Sequence, residues 1–229
     1  MTNAALDSGI REQQRTLHRR LADGMPRAGW KICINDRRMQ RRLGIDASFV
    51  GFLDGSRALQ SGGEWVPDAG AVLGVEPEIA LRFASRVTAG DDGDAICRAI
   101  AGAAPAIEVV DWRDAKFDLA SLAASSSFHA GFVVGELRPL AAVPAIAAGC
   151  PLFVRAGEVL GAADPDLVPA DLAALVATVA GFLARYDQRI ESGDWLLCGA
   201  CTSPARVESG DAVEADFHSL GRVSLRFGG

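Results

Sequence analysis

The chain has 229 residues, of which 49% are hydrophobic and 23% charged, and its formal net charge is −6. This length favours one domain, and the composition supplies enough apolar side chains for a core, which excludes general disorder. An acidic chain is also a poor nucleic-acid binder, because phosphate groups require a dense patch of Lys and Arg. We therefore interpret the basic run at residues 37–42 as a solvated helix face and expect no nucleic-acid partner.

No segment has the pattern of a targeting or membrane element. The N-terminal residues are charged and polar and lack the apolar core of a signal peptide. The longest uncharged stretch, residues 140–154, contains Pro and Gly and is shorter than the ~20 apolar residues that span a bilayer. The five cysteines, an odd number, fit a reducing compartment better than a disulfide framework. These features predict a cytoplasmic protein without a membrane partner.

Apolar periodicity and capping residues divide the chain into predicted elements. Helices are predicted over residues 5–22, from Asn35 or Asp36 to Gly44, from Asp91–Asp94 to about Gly102, and over 171–185. Strands are predicted over residues 30–34, 72–84, 105–112 and 131–135, and as several short strands from Gly193 onward. In the first helix, the apolar stripe consists of Ile10, Leu17 and Leu21. Helices come first and strands dominate later, so we predict an α+β fold around a large mixed or antiparallel sheet that can roll up.

Three glutamates stand in unusual places. Glu76 and Glu78 lie two residues apart at the start of a predicted strand, so both side chains point to one face. Glu108 lies in the middle of the apolar strand PAIEVVD, where a charge is costly to bury unless it is paired or bound to a metal. Carboxylates without a nearby His or Cys favour a hard cation, Mg²⁺ or Mn²⁺. The alternative is that Glu76 and Glu78 face solvent and that Glu108 pairs with an arginine.

A lysine, a histidine and a cysteine pair are the other candidates for chemistry. Lys31 lies in an apolar strand, where a partly desolvated amine can bind an enolate or transfer protons, although an exposed lysine fits the same pattern. His129, in a Ser-rich turn, is either an active-site residue or an ordinary core or surface histidine. Cys198 and Cys201 form a CxxC that lacks a second pair for zinc and a following helix for redox chemistry.

The order of several segments resembles that of a known family. The sequence contains, in that order, GWKI, RRMQRRLGID, VEPEIAL, PAIEVVD, SGDWLLCGACTSPARVESGD and SLGRVSLRF. This order is similar to the fumarylacetoacetate hydrolase superfamily and, within it, to the branch of 2-keto-4-pentenoate hydratases and 4-oxalocrotonate decarboxylases. The resemblance runs from about Gly29 to Phe227. It implies a mixed β-roll of the superfamily's C-terminal type with peripheral helices, in one catalytic domain over residues 1–229 whose residues 1–28 form a helical segment.

The resemblance also implies an activity and a site. The activity is that of a lyase that uses Mg²⁺ or Mn²⁺ to hydrate or decarboxylate a 2-keto (2-hydroxy-dienoate) acid of aromatic-compound catabolism, through a metal-stabilised enolate. Glu76, Glu78 and Glu108 match the metal ligands. Lys31 matches a lysine for proton transfer or enolate stabilisation, and Thr202 a threonine near the substrate carboxylate. We expect a homo-oligomer that can associate with a pathway partner enzyme.

Two departures from the branch affect its acid–base groups. Phe49 stands where the branch has an Asp that assists proton transfer or activates water, and residues 125–128 (SSSF) replace its D-N-A-S run. Ser127 is then a substrate-binding candidate, and His129 or a serine can substitute for the Asp. Loss of the Asp shifts the expectation towards decarboxylation or tautomerisation.

Two other functions stay open at this point. One is an acylpyruvate-type C–C hydrolase, for which His18 in the first helix has the general location of a lid histidine but not the matching sequence. The other is a non-catalytic homologue that partners an active enzyme.

Overall fold

The computed structural model describes residues 3–142, 152–162, 164 and 166–229. Helices α1–α5 are Ala4–Ala22, Arg37–Leu43, Gly93–Ala99, Leu119–Ala124 and Leu172–Ala184. Strands β1–β7 are Arg27–Cys33, Phe49–Asp54, Ala58–Gln60, Gly63–Trp65, Leu73–Phe83, Ile100–Asp111 and His129–Val134. Strands β8–β13 are Leu152–Arg155, Glu158–Ala162, Trp195–Ala200, Ala205–Arg206, Ala212–Asp216 and Arg222–Phe227.

The strands of the described residues form two mixed sheets. The larger has the order β2-β1-β10-β5-β6-β7-β3, with β11 paired to β5. It is mixed because β1 pairs with β10, and β3 with β7, in parallel. The smaller sheet has the order β4-β13-β12-β8-β9 and contains one parallel pair, β13 with β4. The predicted α+β fold around a large mixed sheet is confirmed.

The larger sheet curls until its two ends approach each other. β2 is the edge strand at one end, and the chain continues from it into β3 at the other end. Between the ends, the Phe52 backbone N donates a hydrogen bond to the Ser126 hydroxyl, 3.3 Å away and close to β7. The enclosed face carries an apolar cluster of Leu53, Ala80, Ala106, Phe132, Val134 and Leu197. Because side chains alternate along a strand, Glu78 and Glu108 share this enclosed face with Ala80 and Ala106.

Helix α1 forms where it was predicted, but its buried stripe differs. Ile10 and Leu17 are fully buried, whereas Leu21, the third residue of the predicted apolar stripe, is 38% exposed. The burial of α1 depends on the helix that it packs against, which is the short α4. In this contact the Gln13 amide donates a hydrogen bond to the Ala123 carbonyl at 2.8 Å. The last turn of α1 extends past that contact, so Leu21 has little to pack against.

The predicted helix end at Gly102 is also wrong. Helix α3 ends at Ala99, and β6 begins at Ile100, five residues before the strand predicted from Pro105. The segment AIAGAAPA has helix-favouring alanines, but it pairs with β5 from Phe83 opposite Ile100 onward. Tertiary pairing therefore overrides local propensity here.

The other predicted elements agree with the structure. Asp36 caps α2 and Gly44 ends it in a left-handed conformation, while the basic run at residues 37–42 is exposed at all four arginines. The last predicted helix is α5, with Val176, Val179 and Leu183 in the core. Among the described helices, none combines the length and the apolar character needed to cross a membrane. The uncharged stretch 140–154 lies mostly outside the described residues.

Candidate metal centre

The three glutamates come together on adjacent strands. Glu76 and Glu78 lie on β5, and Glu108 on β6 is directly opposite Glu76 in the antiparallel register. One carboxylate oxygen from each lies within 4.8 Å of the others. Glu78 and Glu108 are buried, at 1% and 0% exposure, and Glu76 is partly exposed. The prediction that all three face one point therefore agrees with the geometry, and the alternative of two solvent-facing glutamates does not.

Both oxygens of Glu108 contact cationic or hydrogen-bonding side chains. Lys31 Nζ lies 2.7 Å from Oε2, and His129 Nδ1 lies 2.6 Å from Oε1. Lys31 is 2% exposed, so it is a buried amine and not the exposed lysine of the alternative interpretation. The imidazole of His129 is 3% exposed. Lys31, Glu108 and His129 thus form one continuous buried chain.

A backbone group fixes the second glutamate. The Gly199 N–H donates to Glu78 Oε2 at 2.7 Å, and Gly199 adopts φ +100° at a bulge of β10. A Cβ at this position would lie 2.8 Å from Asn35 Cγ, so both the conformation and the space require glycine. Glycine therefore allows the backbone to reach the carboxylate.

Mutual repulsion and burial shift the pKa values of the cluster. Burial, and then the charge of Glu108, raises the pKa of Glu76 to about 7. The same two causes raise the pKa of Glu78 well above its usual range, although the hydrogen bond from the Gly199 N–H lowers it. For Glu108, burial opposes ionisation, but Lys31 and His129 outweigh it and keep the pKa below its usual value. The cluster thus holds more negative charge than its surroundings neutralise, which a divalent cation would correct.

Lys31 remains an ammonium group in this setting. Burial lowers its pKa, but its acidic neighbours, first Cys33 and then Glu108, outweigh burial and raise the pKa above its usual value. Its Nζ also donates to the Ser126 carbonyl at 3.3 Å. The Cys33 thiol stays protonated at neutral pH, because burial raises its pKa to about 11.

The Ser-rich turn before β7 has an unusual backbone. Ser126, Ser127 and Phe128 have φ of +52°, +56° and +65°, a conformation that costs L-residues roughly 1–2 kcal/mol each. The turn brings the Ser126 carbonyl to Lys31 and the Ser127 hydroxyl close to the Cys33 thiol. That hydroxyl is buried and has no well-aligned hydrogen-bond partner among the described residues. Strain of this kind is typical of functional sites.

Cys198 lies within β10, and Cys201 and Thr202 follow directly after the strand. The Cys201 N–H donates to the Pro77 carbonyl, between the two glutamates of β5, at 2.8 Å. Thr202 follows directly and is buried, and its hydroxyl donates to the Ser203 carbonyl at 2.9 Å. Cys198 and Cys201 are both buried, and within the described ranges neither joins a metal-ligating cluster.

Two further positions define the surroundings of the cluster. Phe49 is fully buried and lies opposite Cys33 in the β1–β2 register, so an apolar ring occupies the position of the expected acid. A cleft of about 620 Å³ lies between α1 and the loops around Asp111, and its lining includes His129 but none of the three glutamates. His18 is exposed on α1 and contacts Gln188, away from the cluster.

Sequence reasoning missed three contributions to this site. The Gly199 N–H and the Ser126 carbonyl are backbone groups, which no residue pattern specifies. Cys33 could have been found, because it lies two residues after Lys31 on a strand and must share its face.

The donor set suits a hard divalent cation. It consists of three carboxylates without thiolate or imidazole ligands, which is the chemistry of Mg²⁺ or Mn²⁺ sites. Buried carboxylates with shifted pKa values inside a rolled sheet define the class of protein as a candidate metal-dependent enzyme.

Comparison with known proteins narrows this class. The 2-keto-4-pentenoate hydratase of Burkholderia vietnamiensis is 30% identical over 213 residues, which cover 91% of this chain and 80% of the relative. A 4-oxalocrotonate decarboxylase of a Pseudomonas species is 27% identical over 216 residues, covering 93% and 83%. No family model matches the chain. The chain belongs to the family of 2-keto-4-pentenoate hydratases and 4-oxalocrotonate decarboxylases.

Solved structures show the same fold. 4-Oxalocrotonate decarboxylase from Pseudomonas putida G7, complexed with magnesium and adipate, has a TM-score of 0.85 at 24% identity, covering 94% of this chain and 83% of that one. Fumarylpyruvate hydrolase from Pseudomonas aeruginosa, in complex with Mn²⁺ and pyruvate, has a TM-score of 0.69 at 17% identity, covering 89% and 90%. The predicted fold of the fumarylacetoacetate hydrolase type is confirmed.

Proposed function

We propose that this chain is a divalent-metal-dependent lyase that acts on a 2-keto (2-hydroxy-dienoate) acid, as a hydratase or decarboxylase. The observation that carries the proposal is the convergence of Glu76, Glu78 and Glu108 beside Lys31 and His129. The relatives named hydratase and decarboxylase support the reaction class. The structures of similar fold that contain magnesium or manganese support the choice of cation.

The three glutamates would hold the cation, Mg²⁺ or Mn²⁺. When bound, the cation supplies Lewis-acid stabilisation of negative charge on the keto oxygen of the substrate. Lys31 stays charged beside Glu108 and can donate a proton to a substrate carbon or stabilise an enolate. Removal of Lys31 should therefore slow both enolisation and its reversal.

Thr202 and Ser127 are proposed to bind the substrate. Thr202 is buried next to the Cys201–Pro77 hydrogen bond, at the end of β5 that carries Glu76 and Glu78. Ser127 offers a buried hydroxyl without a well-aligned partner. Both hydroxyls can donate to a carboxylate oxygen.

The experiment is ¹H NMR of the purified protein with 2-hydroxypenta-2,4-dienoate and with 2-oxohex-3-enedioate, each with Mg²⁺ and with EDTA. Metal-dependent formation of the 4-hydroxy-2-oxo acid identifies a hydratase, and loss of CO₂ identifies a decarboxylase. Glu108→Ala should abolish both turnover and Mn²⁺ binding. Absence of turnover with either substrate would mean that the cluster serves a different keto acid or a non-catalytic role. Intact Mn²⁺ binding in Glu108→Ala would remove the ligand assignment.

Three broader predictions accompany this function. The single catalytic domain over residues 1–229 predicts one cooperative unfolding transition. The homo-oligomer predicts a mass above that of one chain, 24.0 kDa, in light scattering. Association with a pathway partner enzyme predicts co-elution with that enzyme.

A further inference from the structure

One ring nitrogen in the centre has no hydrogen-bond partner in the part of the chain that the structure describes. His129 Nε2 is buried and accepts no hydrogen bond from the described residues, while Nδ1 lies 2.6 Å from Glu108 Oε1. An ionised carboxylate can only accept, so in the neutral ring Nδ1 carries the proton and Nε2 has the lone pair. Leaving such a buried acceptor unsatisfied costs about 1–3 kcal/mol. The arrangement therefore fits a donor that arrives with the reaction.

We propose, on the basis of the function proposed above, that His129 Nε2 binds and deprotonates the water molecule that adds to the substrate. The reaction of this chain is then hydration and not loss of CO₂. His129 becomes the residue that distinguishes the two outcomes, because decarboxylation requires no base for water.

The atoms balance in a conjugate addition. The dienol first loses its hydroxyl proton and gains one at C5, which gives a 2-oxo-3-enoate. Water then forms a bond from its oxygen to C4 and gives a proton to His129 Nε2, while the C3–C4 π pair moves towards C2. Lys31 donates a proton to C3 and recovers it from the imidazolium through solvent, and the product is a 4-hydroxy-2-oxo acid.

The neighbouring side chains are poorly suited to this task. Lys31 is a charged ammonium without a lone pair, and the Cys33 thiol has a pKa of about 11. Phe49 is apolar, and the glutamates are committed to the cation in the proposed function. In its neutral form His129 has a lone pair on Nε2, and the contact of Nδ1 with Glu108 fixes the orientation of the ring.

The test is the variant His129→Asn. The Asn amide nitrogen can take the place of Nδ1 and keep a donor towards Glu108, but nothing replaces Nε2. His218→Asn is the matched control, because His218 is 56% exposed and lies near the last strand. Each protein is measured for hydration of 2-hydroxypenta-2,4-dienoate, for Mn²⁺ binding by electron paramagnetic resonance, and for metal-dependent deuterium exchange at C3 of 2-oxopentanoate. The last reaction needs enolisation but no added water.

We expect His129→Asn to lose hydration about 10²–10⁴-fold, the usual contribution of a general base. Mn²⁺ binding and C3 exchange should stay at the wild-type level. Wild-type hydration in the variant overturns the proposal, and so does a parallel loss of all three properties. If the wild-type protein itself neither binds Mn²⁺ nor exchanges C3, the proposed function fails, which is a different result.

A second measurement does not depend on the variant's folding. The chain has three histidines, so ¹⁵N-histidine spectra of the metal-free wild-type protein are simple, and His129 is assigned by elimination with His18→Asn and His218→Asn. In the neutral ring we expect the proton on Nδ1, against Glu108. A neutral ring with its proton on Nε2 overturns the proposal.

Discussion

Replacing Lys31 with methionine removes one charge from a buried ion pair and keeps most of the side-chain length. Lys31 and Glu108 are 2% and 0% exposed, and their charged atoms are 2.7 Å apart. Removing one partner of such a pair costs about 3–5 kcal/mol, because the other charge stays buried and uncompensated. His129 keeps its bond to Glu108 and offsets part of the loss. We therefore expect the metal-free variant to lose about 3 kcal/mol in free energy of unfolding.

A divalent cation should reverse much of this loss. At 100 times its Kd a ligand adds about 2.7 kcal/mol, and the cation should bind the variant more tightly because a competing positive charge has gone. The assay is urea unfolding followed by tryptophan fluorescence, in EDTA and in Mg²⁺. Lys116→Met is the control, because Lys116 is the only other lysine and is exposed. A loss below about 1 kcal/mol in EDTA, as for an exposed pair, would refute the reasoning, and so would equal losses with and without Mg²⁺.

The remaining predictions concern the other members of the cluster. In EDTA, the free energy of unfolding should fall by about 2 kcal/mol as the pH rises from 4.5 to 7. The reason is that Glu76, with a pKa of about 7, binds more protons in the folded than in the unfolded state. Urea melts at several pH values measure this change, and Mg²⁺ should make the free energy of unfolding less dependent on pH. Glu78→Gln should raise the melting temperature of the metal-free protein and abolish the increase produced by Mg²⁺, which calorimetry would show. Gly199→Ala should weaken Mn²⁺ binding about 10–100-fold in titration calorimetry, because it displaces the N–H that holds Glu78; unchanged affinity would contradict this.

Local sequence pattern identified the three glutamates but did not show that they meet. The spacing of Glu76 and Glu78 specifies a common face, and the apolar surroundings of Glu108 specify burial, since both follow from strand periodicity. The pairing of β5 with β6 that brings Glu108 opposite Glu76 depends on the whole sheet. The sequence pattern alone was therefore compatible both with a metal site and with Glu76 and Glu78 facing solvent. The register of β5 and β6 decides between these two possibilities.

The turn over residues 126–128 was beyond sequence reasoning. Left-handed backbone at Ser126, Ser127 and Phe128 is unfavourable for each residue by itself, so no local preference predicts it. Two hydrogen bonds to Ser126 hold this turn in place. The Ser126 hydroxyl accepts one from the Phe52 backbone N–H, and the Ser126 carbonyl accepts one from Lys31 Nζ. Leu21 illustrates the opposite error, because periodicity shows which face of a helix is apolar but not how far the neighbouring helix extends.

The exchange of an acid for Phe49 is intelligible from the charges of the enclosed face. That face already holds three carboxylates against one ammonium, and an Asp at position 49 would add a fourth negative charge opposite Cys33. In the proposed mechanism the imidazole of His129 supplies the base without adding a negative charge. Its contact with Glu108 also helps to keep the pKa of that carboxyl low, which favours the ionised form of a proposed ligand. His129 on β7 can therefore take the role of the acid expected at position 49 on β2, since the two strands meet where the sheet curls. On this argument Phe49→Asp should destabilise the metal-free protein more than the Mg²⁺-bound protein. Equal destabilisation in urea melts would mean that lost packing of the ring, and not charge, governs this position.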